Sequence, residues 1–281
     1  MTQSATDPDR VNEALECVDY GVDDRVATVT LNRPERMNAM SLKLCDEVQR
    51  AVAAADRDED VRVIVLTGAG SKAFSSGYDL GDDHMEINVE TLSARTRMDL
   101  AFTQSVWRCT KPTIAMINGH CLGGALELAQ MCDMRYAADT ATFGVVETRF
   151  SVGVVTMVMP WVIGQASREL IYTGDTFGAE EAMRLGLVNR VFAAAELERE
   201  TMKIARRISR VALAALRSNK RAINASFEAM GFDAALRYGS DLAVLLNATS
   251  TPEYHAFDEI RQQQGLTAAI RWREAQFRPF E

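Results

Sequence analysis

The run Val26-Ala-Thr-Val-Thr-Leu31 alternates apolar and polar residues and predicts a half-buried strand. Asn32-Arg-Pro-Glu then turns the chain. From Ser41 to Ala55 the period changes: Leu42, Cys45, Val48, Val52 and Ala55 recur along one face of a helix. Val61-Arg-Val-Ile-Val-Leu-Thr67 is rich in β-branched residues and predicts a buried strand, followed by a loop through Gly68-Ala-Gly70 and Phe74-Ser-Ser-Gly-Tyr-Asp79 into a polar stretch over 81–90. Thr113–Ile117 predicts the next strand, Gly123–Met131 a short helix, and Asp133–Ala138 another strand. The cycle of strand, turn and helix thus recurs about three times without sequence identity between cycles, which favours an α/β fold of stacked sheets, a coil of ββα units.

Beyond Pro160 the strand signal fades. Ala179–Leu185 reads as helix and Gly186-Leu-Val-Asn-Arg-Val191 as a last short strand. Amphipathic spacing then predicts helices over Glu196–Arg217, Lys220–Met230, Phe232–Asn247 and Pro252–Gln264, the last with proline in its first turn. No Pro/Gly linker precedes this region, so it is expected to pack on the core or on a neighbouring subunit. The expected organisation is a disordered leader over 1–15, a core over 16–195 that carries the chemistry, and a helical C-terminal region over 196–281.

The 281 residues are 47% hydrophobic and 25% charged, an ordinary globular balance. The longest apolar run, Val152–Gly164, is interrupted by Thr156 and Pro160 and is too short to span a bilayer. The N-terminal residues lack the basic-then-apolar pattern of a signal peptide. The net charge of −8 argues against nucleic-acid binding through the phosphate backbone, while leaving room for a local cationic cluster that takes one anionic small molecule. Five cysteines without a C-x-x-C pair imply reduced thiols and a cytoplasmic setting.

Two glutamates stand out. Glu127 follows the pair Gly123-Gly124 by three residues, which places it in the first turn of a helix, where backbone N–H groups lack intrahelical partners. Glu147 comes twenty residues later, after Phe143-Gly144. Donors beside a fixed carboxylate suit chemistry in which an oxygen gains negative charge. A second carboxylate could share a proton with the first, one acid and one base near neutral pH. Gly77-Tyr78 follows one buried strand and Gly123-Gly124 another; if those strands are neighbours, the Tyr78 and Gly124 amides converge on one point as an oxyanion hole. The alternatives are ordinary turn glycines and a structural carboxylate at Glu127 paired with an arginine.

The ordered motifs resemble the enoyl-CoA hydratase/isomerase (crotonase) superfamily. They are Leu31-Asn-Arg-Pro-Glu-Arg-Met-Asn-Ala39, Ile64-Val-Leu-Thr-Gly-Ala-Gly-Ser-Lys-Ala-Phe-Ser-Ser-Gly-Tyr-Asp79, Ile117-Asn-Gly-His-Cys-Leu-Gly-Gly-Ala-Leu-Glu127 and Thr173-Gly-Asp with Gly186-Leu-Val-Asn. The resemblance implies a crotonase-like ββα superhelix with a helical C-terminal trimerisation region. It implies Tyr78 and Gly124 as the oxyanion amides, Glu127 and Glu147 as the catalytic pair, and CoA along Arg36, Met37, Ala39, Lys72 and Ala73, with Gly77, Asp79 and Gly123 around the thioester. It further implies an acyl-CoA thioester as partner, no metal or redox cofactor, no nucleic acid, no membrane, and a homotrimer or homohexamer.

Both glutamates together point to hydration of a trans-2-enoyl-CoA. The rivals are 3,2-enoyl-CoA isomerisation, thioester hydrolysis or decarboxylation, and RNA binding without turnover. Two departures from the family pattern bear on the substrate: the branched and Met-rich stretch Thr148–Met159, and Tyr78 in place of a smaller residue. Near the C-terminus Ala269 and Trp272 stand where relatives place residues that reach a neighbour's CoA. Asp82-Asp-His-Met-Glu86 has the residue types of a metal site but reads as a solvated loop; His120 is expected to pack beside the site, and Ser75-Ser76 lacks the G-x-S-x-G elbow of a serine nucleophile.

Overall fold

The β-branched runs around residues 65 and 115 form adjacent parallel strands. The structure, a computed structural model, describes residues 11–12, 15–81, 88–249 and 251–280. Ten strands are described: β1 (Val18–Asp23), β2 (Val26–Leu31), β3 (Val63–Gly68), β4 (Ala73–Ser75), β5 (Thr113–Ile117), β6 (His120–Leu122), β7 (Met134–Ala138), β8 (Thr142–Gly144), β9 (Phe177–Gly178) and β10 (Arg190–Phe192). Six form one sheet in the order β1-β2-β3-β5-β7-β10, and four form a second in the order β4-β6-β8-β9. Only the β1–β2 and β8–β9 pairs are antiparallel. Each repeat sends a long strand to the large sheet and a three-residue strand to the small one; after β4 and β6 the chain continues into a helix. This is the ββα coil that the alternation of periods predicts.

The helices are α1 (Leu42–Arg57), α2 (Val89–Arg108), α3 (Gly124–Met131), α4 (Met159–Ile163), α5 (Ser167–Thr173), α6 (Ala179–Arg184), α7 (Leu197–Ile208), α8 (Leu213–Ala229), α9 (Phe232–Thr249), α10 (Pro252–Gln264) and α11 (Leu266–Ala275). The Ser41 hydroxyl accepts from the Leu44 amide and starts α1, which buries Leu44, Val48, Ala51, Val52 and Ala55 against the large sheet. Two expectations need correction. The single helix expected over Glu196–Arg217 is two, α7 and α8, broken at Ser209–Ala212, and α2 occupies a region where no helix was expected. Much of the expected leader over 1–15 lies outside the described residues; of those described, Asn12 exchanges side-chain hydrogen bonds with the Tyr20 backbone.

The C-terminal helices pack back on this chain's own core. Lys220 on α8 is buried and donates to the Asp133 carboxylate at 2.8 Å, the Val106 carbonyl at 2.9 Å and the Lys111 carbonyl at 3.0 Å. Asp133 also accepts from the Thr113 amide at 2.7 Å, so one carboxylate joins the end of α3, the start of β5 and α8. Asp133→Ala is expected to strand the buried ammonium and cost about 3 kcal/mol of stability, read from chemical denaturation.

Candidate active site

The chain leaves β6 through Gly123, whose φ of +56° with ψ of −132° favours glycine, and enters α3 at Gly124. Every residue of α3 is buried, including Glu127 in its first turn. A Cβ built on Gly123 would lie 2.8 Å from Glu147 Oε1, so the absent side chain is the space the second carboxylate fills. Glu147 stands on a 3-10 turn, Val146–Phe150, that follows β8. The C-terminal region holds this turn. Arg149 pairs with Asp175 and lies 4.7 Å from the Phe277 ring centre, Arg273 donates to the Arg149 carbonyl, and Phe150 meets Phe257 edge-on at 5.5 Å.

The two carboxylates share an enclosed space. Part of the Glu147 residue reaches solvent, but its Oε2 is shut in, and neither that oxygen nor either oxygen of Glu127 has a hydrogen-bond partner. Between them lies a cavity of ≈ 10 Å³, walled also by Val154, Thr156 and Met157. Burial raises the Glu127 carboxyl to about 7, against which the backbone and hydroxyl of Thr156 act without forming an aligned hydrogen bond. Burial, and then the charge of Glu127, raise Glu147 to about 8. Near neutral pH, then, the pair keeps a proton that two solvated carboxyls would have released. The alternative of a structural ion pair at Glu127 is not what the structure holds, since no arginine among the described residues meets its carboxylate.

Beside the carboxylates, two glycine turns meet. A Cβ built on Gly77 would sit 3.6 Å from the Gly124 nitrogen, so the Gly77-Tyr78 turn and the start of α3 lie against each other. Among the described residues, neither the Tyr78 nor the Gly124 amide donates to another group. The neighbouring strands that this arrangement requires, β3 and β5, are paired in register from Ile64↔Thr113 to Thr67↔Met116. The Tyr78 ring lies across Gly124, where any Cβ would be 2.3 Å from it, and its hydroxyl is enclosed without a partner. Burial raises that hydroxyl well above its ordinary range. The Arg95 guanidinium of α2 stands 5.9 Å from the ring centre and is itself paired with Asp99 at 3.0 Å.

The remaining expected residues divide by location. Asp79 is clamped by Arg33 at 2.9 Å and Arg36 at 3.0 Å; burial opposes its ionisation, but the Gly81 amide and the two arginines keep its carboxyl below the ordinary range. The clamp fastens the Pro34–Ser41 segment, with Met37 in a left-handed turn and Ala39 buried, against the strand-like contact of Met40 with Tyr78. Lys72 is exposed and Ala73 buried at the entrance of β4. Ser75 Oγ accepts from the Gly77 amide at 3.2 Å and so supports the turn. His120 is exposed, with Nδ1 2.5 Å from the Thr142 hydroxyl. Ala269 is buried within the chain. The acidic stretch 82–86 lies outside the described residues, and among the described ones no group of three or more His, Cys, Asp or Glu could hold a metal. The Arg95–Asp99 pair, Thr156 and Gln130 were not read from the sequence as site residues.

The sequence model of enoyl-CoA hydratase/isomerase matches residues 21–265. The chain belongs to the enoyl-CoA hydratase/isomerase family. It is 34% identical to the crotonyl-CoA hydratase of Syntrophomonas wolfei over 94% of this chain and 98% of that one. The short-chain-enoyl-CoA hydratase of Clostridium acetobutylicum is also 34% identical, over 77% of this chain and 84% of that one. Among solved structures, an enoyl-CoA hydratase/isomerase from Xanthobacter autotrophicus Py2 superposes with a TM-score of 0.91 at 37% identity, covering 94% of this chain and 99% of that one. The crotonase-type superhelix and its helical C-terminal region are therefore established for this family member.

The raised carboxyls tie stability to pH with a definite sign. A carboxyl whose folded value lies above its ordinary 4.5 stays protonated where the unfolded chain has ionised. Its stabilisation is complete below that ordinary value and is lost as pH rises through the folded one. Glu147→Gln removes the loss, so its Tm is expected to exceed that of the parent by ~3 °C or more at pH 9, with the difference closing towards pH 4.5. A Tm difference that does not change with pH contradicts the assignment.

Proposed function

We propose that this family member is an enoyl-CoA hydratase, adding water across the C2=C3 bond of a trans-2-enoyl-CoA to give a 3-hydroxyacyl-CoA. The observation that carries the reading is the enclosed pair of unpartnered carboxylates beside two unengaged amides on turns that lie against each other. The names of the relatives agree with it.

The Tyr78 and Gly124 amides receive the thioester oxygen and stabilise the enolate that forms as C3 is attacked. Glu127 takes a proton from water as its oxygen bonds to C3. Glu147 delivers the proton that the pair retains to C2. Proton return from Glu127 to Glu147 resets the site. The addition is redox-neutral, and the amides supply the electrophilic stabilisation, so these steps draw on no metal or redox group. The Arg33–Arg36–Asp79 clamp shapes the loop along which CoA lies, with Lys72 exposed for its phosphates. The Tyr78 ring and the Met157 and Met159 side chains bound the acyl group, which favours short chains. Assembly as a homotrimer or homohexamer belongs to the same reading. The exposed stripe Tyr238, Leu242 and Leu245 on α9 is the face offered, and light scattering reports the mass. Five cysteines outside any disulfide agree with a cytoplasmic location.

A panel of enoyl-CoA thioesters of graded chain length, with products identified by mass spectrometry, tests the reaction. Crotonyl-CoA is expected to give 3-hydroxybutyryl-CoA, and Glu127→Gln and Glu147→Gln are each expected to lower kcat by about 10²–10⁴-fold. Hydration that survives both substitutions, or conversion of 3-enoyl substrates alone, removes the two-carboxylate hydratase. On the same panel Tyr78→Ala is expected to raise kcat/KM for eight-carbon chains relative to four-carbon ones by about 10-fold.

A further inference from the structure

Gly123, Glu127 and Gln130 follow one another down the same face of α3, at the spacing i, i+4, i+7. All three wall the ≈ 10 Å³ cavity that lies between the carboxylates, a volume that suits a single water. Gln130 is 5% exposed, and its Nε2 donates to the Leu126 carbonyl at 3.1 Å. That bond fixes the amide's orientation and leaves Oε1 enclosed with no donor. Around one small cavity there are therefore four unpartnered oxygens: both of Glu127, Oε2 of Glu147, and Oε1 of Gln130. Enclosed acceptors call for donors, and a water brings two O–H groups and an oxygen that can accept.

We propose that Gln130 is a positioning residue for hydration, holding one O–H of the attacking water while Glu127 takes the proton of the other. The inference rests on the hydratase reading and adds to it the group that fixes the water's orientation. With the two carboxylates alone, a water that accepts from protonated Glu147 and donates to Glu127 still turns about that line. A third contact stops the rotation and keeps a lone pair available to C3. In the step, one O–H bond of water breaks towards Glu127 and the C3–O bond forms. The hydrogen on Gln130 Oε1 stays on the new hydroxyl, and the Glu147 proton goes to C2. Gln130 neither gains nor loses a proton.

The distinguishing feature is that only water attack needs Gln130. Exchange of the C2 hydrogen of a saturated thioester such as butyryl-CoA with D2O uses the amides and Glu147 and forms no bond to water oxygen. Gln130→Met keeps the length and removes the acceptor. It is expected to lower kcat for crotonyl-CoA hydration about 10- to 100-fold with KM within about 2-fold, while butyryl-CoA exchange, followed by mass spectrometry, stays within about 2-fold of the parent. Gln130→Glu keeps an oxygen in place and is expected to retain more hydration than the Met variant. It supplies the second reading if the Met variant loses thermal stability. Hydration and exchange falling together, hydration unchanged in Gln130→Met, or no advantage of Glu over Met each overturns the proposal. A parent enzyme that exchanges butyryl-CoA but hydrates no enoyl-CoA overturns the hydratase reading first, and this inference with it.

Discussion

Two carboxylates have been enclosed beside one another with no cation and no aligned donor to satisfy them, and much else in the molecule follows from that constraint. In such surroundings both cannot ionise near neutral pH. Burial raises each of them, and the charge of Glu127 adds to the rise at Glu147. The pair therefore holds on to a proton that either residue in water would have released. In the proposed hydration, that retained proton lets one glutamate act as acid while its neighbour acts as base. The same enclosure would strengthen the pull of the Tyr78 and Gly124 amides on a developing oxyanion.

The architecture can be read as the means of enforcing this enclosure. Parallel pairing of β3 with β5 brings two glycine turns from separate repeats together. Helix α3 is buried along its whole length, and Glu127 with it. Glu147 sits on a single turn that would otherwise be a surface loop. The Arg149 contact with Phe277 and the Phe150–Phe257 contact anchor it to α10 and the chain's end, and the Arg149–Asp175 pair ties it to the segment after α5. The C-terminal region thus shapes the catalytic environment as well as offering an exposed face. Helix α2 contributes from the opposite side: the Arg95–Asp99 pair stands beside Tyr78, and the Asp99 charge adds to the rise at Glu127.

Much of this was legible in the sequence, for physical reasons that also explain what was not. The strands at Val63–Gly68 and Thr113–Ile117 are buried on both faces and so read as continuous apolar runs. Glu127 was legible because the glycine pair marks the start of its helix. Helix α2 was not, since the face it buries includes Thr96, Asp99, Thr103 and Gln104, and hydrophobic periodicity cannot register a polar buried face. The break between α7 and α8 at Ser209–Ala212 carries neither glycine nor proline, so nothing local announced it. The second sheet is built of strands of two or three residues, too short to show a period. At the site, the packing of Glu147 into the space left by Gly123 joins residues from different repeats. Gln130, one turn beyond Glu127 on the same face, was within reach of helical spacing but drew no attention as an uncharged side chain.

The central claim is that the folded protein keeps a proton between Glu127 and Glu147 near neutral pH, and the most direct test is to titrate the two carboxyls. With 13C-labelled glutamate side chains, carboxyl NMR spectra of the parent protein and of Glu127→Gln and Glu147→Gln across pH 4–10 assign and follow both groups. One carboxyl is expected to titrate near 7 and the other near 8, with Glu147 moving down in Glu127→Gln once its neighbour's charge is gone. Two carboxyls fully ionised at pH 6 would contradict it.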